Sequence, residues 1–533
     1  MTKKYIGITI GPIIETMSYT STPAGLWMAS YFFSSITKGL SDNLTSNKYI
    51  VITVPNDFKS DVEGIGKYHD RIYAITPDGK NDEEIAKEVD SIIESVIIEK
   101  AQLVAKAIEK NSNNYNNVKK TLKDYLQIHY IVMNISDEEV LASTIAKSLD
   151  ALENSGSTAG IHSHNSLVQL VSGNKSSSNE YLKKYEGFDK SGLLIGENVV
   201  DLEYIARNET AWKQGGITAS EKIRKYFAII QADGDGMGRI VNADLTKGIS
   251  LEEQEERIKI FSKLCMKYTG EATKLIREYN GVVIYAGGDD LLFLAPIVSK
   301  NNNIWLLCKQ IGEKFDEIFN PEKNEEAKKI VEVGKIPSVS FGVSVNYYKF
   351  PLYEAFEDAR GLLFGIAKKF GSKNNYAISV NKASGQRAGY VCRMESNGKS
   401  EDSMYGKILE YTNMLVNIDN HEESNIPLNK SDMLHSLLYH IENNRELLKI
   451  AIKDDNKRKK FFENVFDSIK QNEFKQYIDS IYSIAEKIHL VTQNKQSKEE
   501  IIESLISTNS DDKEIDILIS ILRTSKLLVE EKE

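Results

Sequence analysis

Two adjacent carboxylates stand at the tip of a predicted β-hairpin near the middle of this 533-residue chain. Residues 282–286 and 291–295 are apolar runs typical of strands, and the turn between them, residues 287–290, reads Gly-Gly-Asp-Asp. Neighbouring carboxylates on a buried turn cost free energy unless a positive charge lies on them. Divalent cations prefer carboxylate oxygen, so Asp289 and Asp290 indicate a metal-dependent phosphoryl or nucleotidyl transfer site.

A second acidic motif ends the strand predicted over residues 226–233. Asp233 is its last residue, and Asp235 shares that face if the strand continues. A glycine-rich loop follows, and its bare backbone N–H groups can cradle phosphates. The loop residues are Gly234, Asp235, Gly236, Met237 and Gly238.

The elements around these motifs predict how the carboxylates meet. The order is strand 226–233, helix 251–279, the hairpin, helix 305–319, strand 339–345, helix 351–370 and strand 376–380. This is the β-α-β-β-α-β order of a ferredoxin-like palm with one extra helix and strand. In such a sheet the strand that ends at Asp233 lies beside the hairpin. Two Mg²⁺ or Mn²⁺ ions held there would activate a 3′-hydroxyl and clamp a triphosphate.

Each motif alone also fits an ordinary turn, because Asp-Gly and Gly-Gly are common turn dipeptides. Both motifs in this order favour catalysis. Lys368, late in helix 351–370, could reach a β- or γ-phosphate, or could simply complement the helix dipole. His69 and Asp70 could be taken for a phosphohydrolase pair. No further His and Asp ligands lie near them, and we interpret them as a surface dipeptide.

Composition predicts several soluble domains. The chain is 41% hydrophobic and 27% charged, and its longest apolar runs are far shorter than a membrane span. Three scattered cysteines favour a reducing cytoplasm and exclude a cysteine zinc site. The net charge of −10 does not itself indicate nucleic-acid binding, although a local basic groove would suffice.

We predict an α+β protein of four parts. Residues 1–152 form a first α/β domain, with strands at 5–10, 48–54 and 125–135, helices at 25–40, 82–110 and 137–152, and a loop at 111–117. Residues 153–222 connect it to the palm at 223–388. Strands stop at about Gly389, and residues 389–533 form a helical domain. Its predicted helices are 407–416, 432–452, 458–470, 473–489, 498–507 and 514–528.

With Asp-Gly-Asp-Gly-Met-Gly at 233–238 and Gly-Gly-Asp-Asp at 287–290, the chain resembles the large polymerase/cyclase subunit of type III CRISPR effector complexes, most closely subtype III-B. Residues 10–14 and 25–31 resemble the first palm of that family. Residues 355–368 also resemble the closing helix of diguanylate cyclases. The resemblance implies two ferredoxin-like palms, of the adenylyl/diguanylate-cyclase kind, packed face to face with two ATP molecules between them.

Only the second palm of the family carries metal ligands. Carried over by position, Asp289 and Asp290 would be catalytic and would bind metal together with Asp233 and the backbone carbonyl of Gly234. The resemblance implies a nucleotide site for a larger set of residues. These are Ser30, Asp235, Gly236, Gly238, Gly287, Gly288 and, contacting phosphate, Lys368.

The implied function is an RNA-activated, ATP-dependent nucleotidyltransferase that works with other type III-B subunits, guide RNA and target RNA in the cytoplasm, away from membranes. The product would be cyclic oligoadenylate, or AMP joined to S-adenosylmethionine, and the residues leave that acceptor open. One alternative is a scaffold subunit without catalysis. A stand-alone diguanylate cyclase is disfavoured, because Asp290 replaces the usual glutamate and a helical domain follows.

Two departures from the family pattern indicate which members of the family this chain resembles most. Many members begin with an HD nuclease domain, whereas this sequence starts at the palm, so DNA cleavage is not expected. Many also carry a four-cysteine zinc site between the palms, which three dispersed cysteines cannot supply. The chain is therefore most similar to the compact members that lack the nuclease.

Overall fold

The structure is a computed structural model of the chain. It describes residues 2–53, 63–108, 112–155, 165–172, 181–208, 224–242, 248–332, 334–371, 373–395, 403–416, 430–464, 474–493, 502–505 and 512–529. Within these residues two larger β-sheets, each with helices packed on it, account for most of the strands. The predicted α+β fold class is confirmed.

The first sheet contains β1 (Thr2–Gly11), β2 (Ile50–Val51), β3 (Arg71–Ile75) and β4 (Gln127–Ser136). Its order is β2-β3-β1-β4 with antiparallel neighbours, the ferredoxin-like arrangement. The helices of this region are Ile13–Ser18, Pro23–Ser46, Asp82–Ala107, Ser112–Tyr125 and Leu141–Ser155. Pro23–Ser46 begins at an N-cap, where Thr22 Oγ1 accepts from Gly25 N at 3.1 Å.

The second sheet is the larger one. Its strands are β7 (Tyr226–Asp235), β8 (Val282–Gly287), β9 (Asp290–Pro296), β12 (Ser338–Tyr347), β13 (Asn375–Asn381), β14 (Arg387–Arg393) and β15 (Ile502–Ser504). The order is β15-β14-β13-β12-β7-β9-β8, so β12-β7-β9-β8 repeats the ferredoxin-like order of the first sheet. The predicted adjacency of the Asp233 strand and the hairpin is confirmed by the β7–β9 pairing.

Helices cover the second sheet and continue after it. Those within the sheet region are Met237–Asn242, Leu251–Glu278, Ile304–Phe319, Glu325–Lys328 and Leu352–Arg360, the last continuing as a π-helix over Gly361–Ala367. The later ones are Met404–Val416, Lys430–Asn443, Arg445–Ala451, Asp455–Asn464, Lys475–Gln493 and Lys513–Lys526. No helix among the described residues is long and apolar enough to cross a membrane.

Short elements lie in the predicted connecting region and beside the hairpin. They are the helices Ser166–Ser172 and Leu202–Arg207, the 3₁₀ turn Phe188–Lys190, and the paired strands β5 (Leu194–Ile195) with β6 (Asn198–Val199) and β10 (Val298–Ser299) with β11 (Asn302–Asn303). The loops predicted within residues 156–164 and 173–180 lie outside the described residues, as does 209–223.

Three sequence interpretations were wrong. Strands do not stop at Gly389, because β14 pairs with β13 and β15 pairs with β14. The helix predicted over 498–507 is replaced at Ile502–Ser504 by β15. The loop predicted over 111–117 is helical from Ser112 onward, because Val118 and Leu122 bury their side chains in the core and tertiary packing outweighs the low helix propensity of asparagine.

The two sheets are joined close to the hairpin. Gly66, in the loop before β3, accepts a hydrogen bond through its carbonyl from Ala286 N at 2.8 Å. It also forms a parallel bridge with Tyr285. Helix Pro23–Ser46 shares one hydrophobic core with Ile284 of β8. The tip of the hairpin therefore faces the first sheet.

Candidate functional site

The turn between β8 and β9 has two central residues. Gly287 pairs with Asp290, which leaves Gly288 and Asp289 at the tip. Gly288 has φ of +67°, a backbone conformation that a type II′ turn requires at its first central position and that glycine adopts without strain. The turn sequence thus fixes a tight hairpin that presents Asp289 and Asp290 at its end.

Asp233 lies across the sheet from this turn. The β7–β9 register pairs Ala232 with Leu291, so the next step of the ladder sets Asp233 against Asp290. Gly234 lets the hairpin turn lie close to the end of β7, because a Cβ at this position would lie 2.7 Å from Asp289 Oδ2. The three carboxylates therefore converge as the sequence predicted.

The cluster is electrostatically costly. Burial, together with the charge of Asp233, raises the pKa of Asp289 to about 7. Burial, together with the charges of Asp289 and Asp233, raises the pKa of Asp290 well above its ordinary value. Asp290 Oδ1 is buried without a hydrogen-bond partner among the described residues. Such a group is stabilised by a cation placed on it.

Lys368 supplies one positive charge. Its ammonium forms an ion pair with the Asp233 carboxylate and donates to Asp235 Oδ1 at 2.8 Å and to the Gly234 carbonyl at 2.8 Å. Burial alone would lower the pKa of Lys368, but the charges of Asp233 and Asp235 outweigh it and the pKa rises. The lysine is thus cationic and bound to the carboxylates.

A change of helix type sets the position of Lys368. The predicted helix 351–370 is α-helical to Arg360 and then widens to a π-helix over Gly361–Ala367. Lys368 N donates to Leu363 O at 2.8 Å, five residues back, as π geometry requires. Gly342 of β12 lets this helix approach, since a Cβ there would meet Ala359 O at 2.4 Å. Residue spacing alone did not indicate this widening.

Asp235 occupies a different environment from the other carboxylates. Its side chain is 2% exposed and accepts hydrogen bonds from Ser338 Oγ at 2.9 Å, Ser340 Oγ at 2.7 Å and Asn374 N at 2.9 Å. With Lys368 on its other oxygen, Asp235 has no acceptor capacity directed at solvent. The structure places it behind the site, where it holds Lys368, and not on a nucleotide surface as expected.

Two spaces flank the hairpin. An open cleft of about 690 Å³ lies on one side of Asp289. The cleft contains the predicted glycine loop and three cations: Gly234, Gly236, Gly238, Arg239, Lys368 and Lys373. Gly236 has φ of +78°, so the backbone there is one that glycine accommodates best. This side combines bare backbone with positive charge, the chemistry that receives phosphates.

The other space is a cavity of about 400 Å³ between the hairpin and the first sheet. Gly287, Gly288, Asp289 and Asp290 line one wall, and Ser30 of helix Pro23–Ser46 lines the other. The structure therefore brings the first-sheet serine opposite the hairpin, as expected.

His69 and Asp70 also line this cavity; Asp70 is exposed, as the surface interpretation predicts, and His69 is half-buried. The loop that carries them is drawn inward because Ser34 Oγ accepts from Lys67 N at 3.0 Å and Tyr68 N at 2.9 Å. Partial burial lowers the pKa of His69. The sequence shows that His69 and Asp70 are adjacent, whereas only the fold shows that they lie beside the cavity.

Asp233, Asp289 and Asp290, with the Gly234 carbonyl, are the groups that could hold a metal. Their all-oxygen donor chemistry fits a hard divalent cation, and the unpartnered Asp290 Oδ1 is one free donor. Among the described residues, no three His, Cys, Asp or Glu side chains lie around one metal position. Lys368 holds the Asp233 carboxylate in this structure.

Comparison with known proteins agrees with this geometry. Residues 226–377 match the family model for the second palm domain of Cas10/Cmr2. This segment is similar to a Cas10/Cmr2 second palm. It contains β7, the hairpin, β12 and Lys368, so all three carboxylates fall within it.

A curated relative supports the same assignment. The CRISPR system Cmr subunit Cmr2 of Pyrococcus furiosus is 29% identical over 179 residues, which span 30% of this chain and 19% of that protein. The chain thus matches less than a fifth of that relative's length.

Solved structures extend the likeness in fold. A chain of a type III-B Cmr-beta complex in the apo state matches with a TM-score of 0.50 at 11% identity, over 100% of this chain and 82% of the other. A chain of Cmr-beta bound to cognate target RNA matches with a TM-score of 0.56 at 11% identity, over 99% and 83%. At this identity the likeness concerns the fold alone.

Proposed function

We propose that this chain is the nucleotidyltransferase subunit of a type III-B CRISPR effector complex, transferring adenylate from ATP with release of pyrophosphate. The observation that carries the proposal is the convergence of Asp233, Asp289 and Asp290 at the edge of a basic glycine-lined cleft within a Cas10/Cmr2 palm. A pure scaffold would gain nothing from a buried carboxylate cluster with raised pKa values and an unpartnered oxygen.

Each residue of the site has a distinct task in this reaction. Asp233, Asp289, Asp290 and the Gly234 carbonyl would hold two Mg²⁺ or Mn²⁺ ions, which supply Lewis acidity and activate the attacking 3′-hydroxyl. Arg239, Lys368 and Lys373 neutralise the triphosphate in the cleft while the backbone of the glycine loop approaches it. Asp235 acts through Lys368, whose ammonium it binds.

The acceptor lies on the opposite side of the hairpin. Asp289 borders both the basic cleft and the cavity that contains Ser30, so donor and acceptor can meet at that carboxylate. The products consistent with this arrangement are cyclic oligoadenylate from a second ATP, or AMP joined to S-adenosylmethionine.

The partners follow from the relatives. Those matched are a Cmr subunit and chains of Cmr-beta, one of them bound to cognate target RNA. We propose that this chain works with other type III-B subunits and guide RNA, and that target RNA activates the site.

The test is pyrophosphate release by the assembled complex with ATP, divalent metal and target RNA. Asp289→Ala together with Asp290→Ala should reduce the rate by ~10³-fold or more, because the metal-binding oxygens are lost. Asp78→Asn, an exposed acid on a turn of the first sheet region, is the matched control and should retain wild-type activity. Unchanged turnover in the double variant, with the complex intact by gel filtration, would rule out the proposal.

A further inference from the structure

Lys368 lies where a helix ends beside the carboxylate cluster. It directly follows the π-helix Gly361–Ala367, and its ammonium reaches Asp233 and Asp235. A lysine stem is long and flexible, so the ammonium has a defined position only if both its backbone and its charged end are held. The neighbouring strands hold both ends.

The charged end is held by Asp235, which is itself fixed from the other side. Asp235 Oδ1 accepts from the ammonium at 2.8 Å, while Oδ2 accepts from Ser340 Oγ at 2.7 Å. Ser340 is fully buried on β12, and its hydroxyl accepts in turn from Asn375 N at 3.1 Å. Asp235 and Ser340 therefore connect the ammonium of Lys368 to Asn375, the first residue of β13.

The backbone end is held by the side chain of the same asparagine. Asn375 Nδ2 donates to the Ala367 carbonyl at 2.7 Å and to the Phe370 carbonyl at 2.6 Å. Carbonyls at the end of a helix lack partners within the helix and need such donors. The Ala367 carbonyl belongs to the peptide group that also carries the backbone N–H of Lys368. The Asn375 amide therefore holds the chain directly at Lys368.

Together these contacts form a closed ring of hydrogen bonds. From the peptide group of Lys368 the ring passes through Asn375, Ser340 and Asp235 to the lysine ammonium. Asn375 is 1% exposed and Asp235 is 2% exposed. Breaking one of these buried bonds would leave a polar group without a partner, so the ring opens only at a cost in free energy. The ammonium therefore has little freedom of position.

Asn375 supplies two N–H donors on a short side chain, and both donors are used. Aspartate has the same shape but offers only acceptors when ionised, and serine has a single donor. The adjacent Asn374 does not share this task, because its side chain donates to Glu395 Oε2 at 3.4 Å. The position next to β13 therefore requires the amide of Asn375 in particular.

We infer that Asn375 is a positioning residue for the reaction and acts through Lys368. This inference rests on the proposed function and adds a residue to it. Among the described residues that line the cleft and the cavity, Asn375 is not included, so its effect on a nucleotide is indirect. In the cleft the Lys368 ammonium neutralises triphosphate charge, and a displacement of about 1 Å would lower the rate.

Asn381, at the other end of β13, is a matched control. It is 5% exposed, and its side-chain amide also donates twice, to Asn346 Oδ1 at 2.8 Å and to Asp358 Oδ2 at 3.2 Å. Asn375→Ala and Asn381→Ala therefore remove equal numbers of buried hydrogen bonds from one strand. Each should lower the melting temperature of the assembled complex by a similar few degrees. Of the two, only Asn375 bonds at Lys368.

Pyrophosphate release by the assembled complex with ATP, divalent metal and target RNA tests the role. Asn375→Ala should lower kcat about tenfold, and Asn381→Ala should leave it within about twofold of wild type. In a Lys368→Met background Asn375→Ala should lower kcat no further, because the ammonium that it positions is gone. Wild-type kcat in Asn375→Ala, equal losses in the two alanine variants, or an undiminished loss in the Lys368→Met background would each overturn the inference.

Acetylation separates this inference from the proposed function, because it needs no turnover. Acetic anhydride is added to the assembled complex without ATP, and mass spectrometry gives the rate at Lys368 relative to the exposed Lys369. Asn375→Ala should raise this ratio several-fold by loosening the ring, and Asn381→Ala should leave it unchanged. An unchanged ratio in Asn375→Ala would overturn the inference. A raised ratio without pyrophosphate release by wild type would overturn the proposed function and leave the positioning of Lys368 by Asn375 standing.

Discussion

The first and second sheets share one strand order and differ in chemistry at corresponding positions. In the first sheet Thr9 pairs with Arg71, and the next hydrogen bond joins Ile10 to Asp70. In the second sheet Ala232 pairs with Leu291, and the next pair is Asp233 with Asp290. A buried isoleucine thus stands in the first sheet where the second has a carboxylate.

Two sheets with the same strand order therefore carry different numbers of carboxylates at corresponding positions. A lone carboxylate beside an isoleucine offers a divalent ion fewer oxygen ligands than a carboxylate cluster does. Three converging carboxylates repel one another and require a cation. The same strand order therefore carries an isoleucine beside one carboxylate in the first sheet and a cluster of three carboxylates in the second.

The largest effect should come from removing that carboxylate. Asp233→Asn keeps the size of the side chain but lowers its affinity for a divalent cation, so pyrophosphate release by the assembled complex should fall by ~10³-fold. Glu325→Gln, an exposed acid in the same sheet region, should have no effect. Retained activity in Asp233→Asn would mean that Asp289 and Asp290 suffice for metal binding. Asp233 would then not account for the difference between the two sheets.

Lys368, at the end of the π-helix that follows β12, is the next test. Lys368→Met removes the charge that binds Asp233 and Asp235 and that faces the cleft, so kcat should fall by ~10²-fold. Lys369→Met is matched in sequence and is exposed, and it should behave as wild type. If both variants lose activity equally, the loss comes from the change in net charge and not from the contacts of Lys368 in the site.

A pair of glycines tests the geometry alone. A Cβ at Gly234 would lie 2.7 Å from Asp289 Oδ2, whereas a Cβ at Gly11, near the same end of the first central strand, would come no closer than 3.8 Å to Gln127. Gly234→Ala should displace Asp289 and lower kcat about tenfold, by analogy with small misplacements in other sites. Gly11→Ala should leave kcat unchanged. Equal effects would show that the close approach of Gly234 has no catalytic consequence.

Sequence reasoning succeeded where the signal was local. The hairpin, the strand that ends at Asp233 and the long helix Leu251–Glu278 follow from apolar periodicity and turn glycines. The adjacency of β7 and β9 followed from the order of elements in a ferredoxin-like sheet.

It failed where distant parts of the chain decide the outcome. β15 is three residues long and exists because β14 offers an edge about 110 residues earlier in the chain, a pairing that no local pattern encodes. The path of the loop before β3 depends on Ser34, whose hydroxyl accepts from Lys67 N and Tyr68 N. The contact of Lys368 with Asp233 needs the π-helix, and the sequence there reads as an ordinary helix.

The smallest expected effect is on the pH dependence of folding stability, and the raised pKa values of Asp289 and Asp290 determine its direction. In the folded chain the pKa of Asp289 is about 7 and that of Asp290 is also raised, against about 4 for aspartate in an unfolded chain. A raised carboxyl pKa favours the protonated form in the folded state, so its stabilising contribution is complete below about pH 4 and is lost as the pH rises through 7.

Asn at positions 289 and 290 imitates the protonated form at every pH. The metal-free Asp289→Asn, Asp290→Asn variant should therefore unfold a few degrees above wild type at pH 8, and the gap should shrink as the pH falls to 5. Calorimetry or fluorescence melting at both pH values measures this. Mg²⁺ should close the gap at pH 8 by stabilising wild type alone, because only wild type offers the carboxylates. The described residues of the first sheet form no such cluster. A stability difference that does not change with pH would therefore arise outside the hairpin.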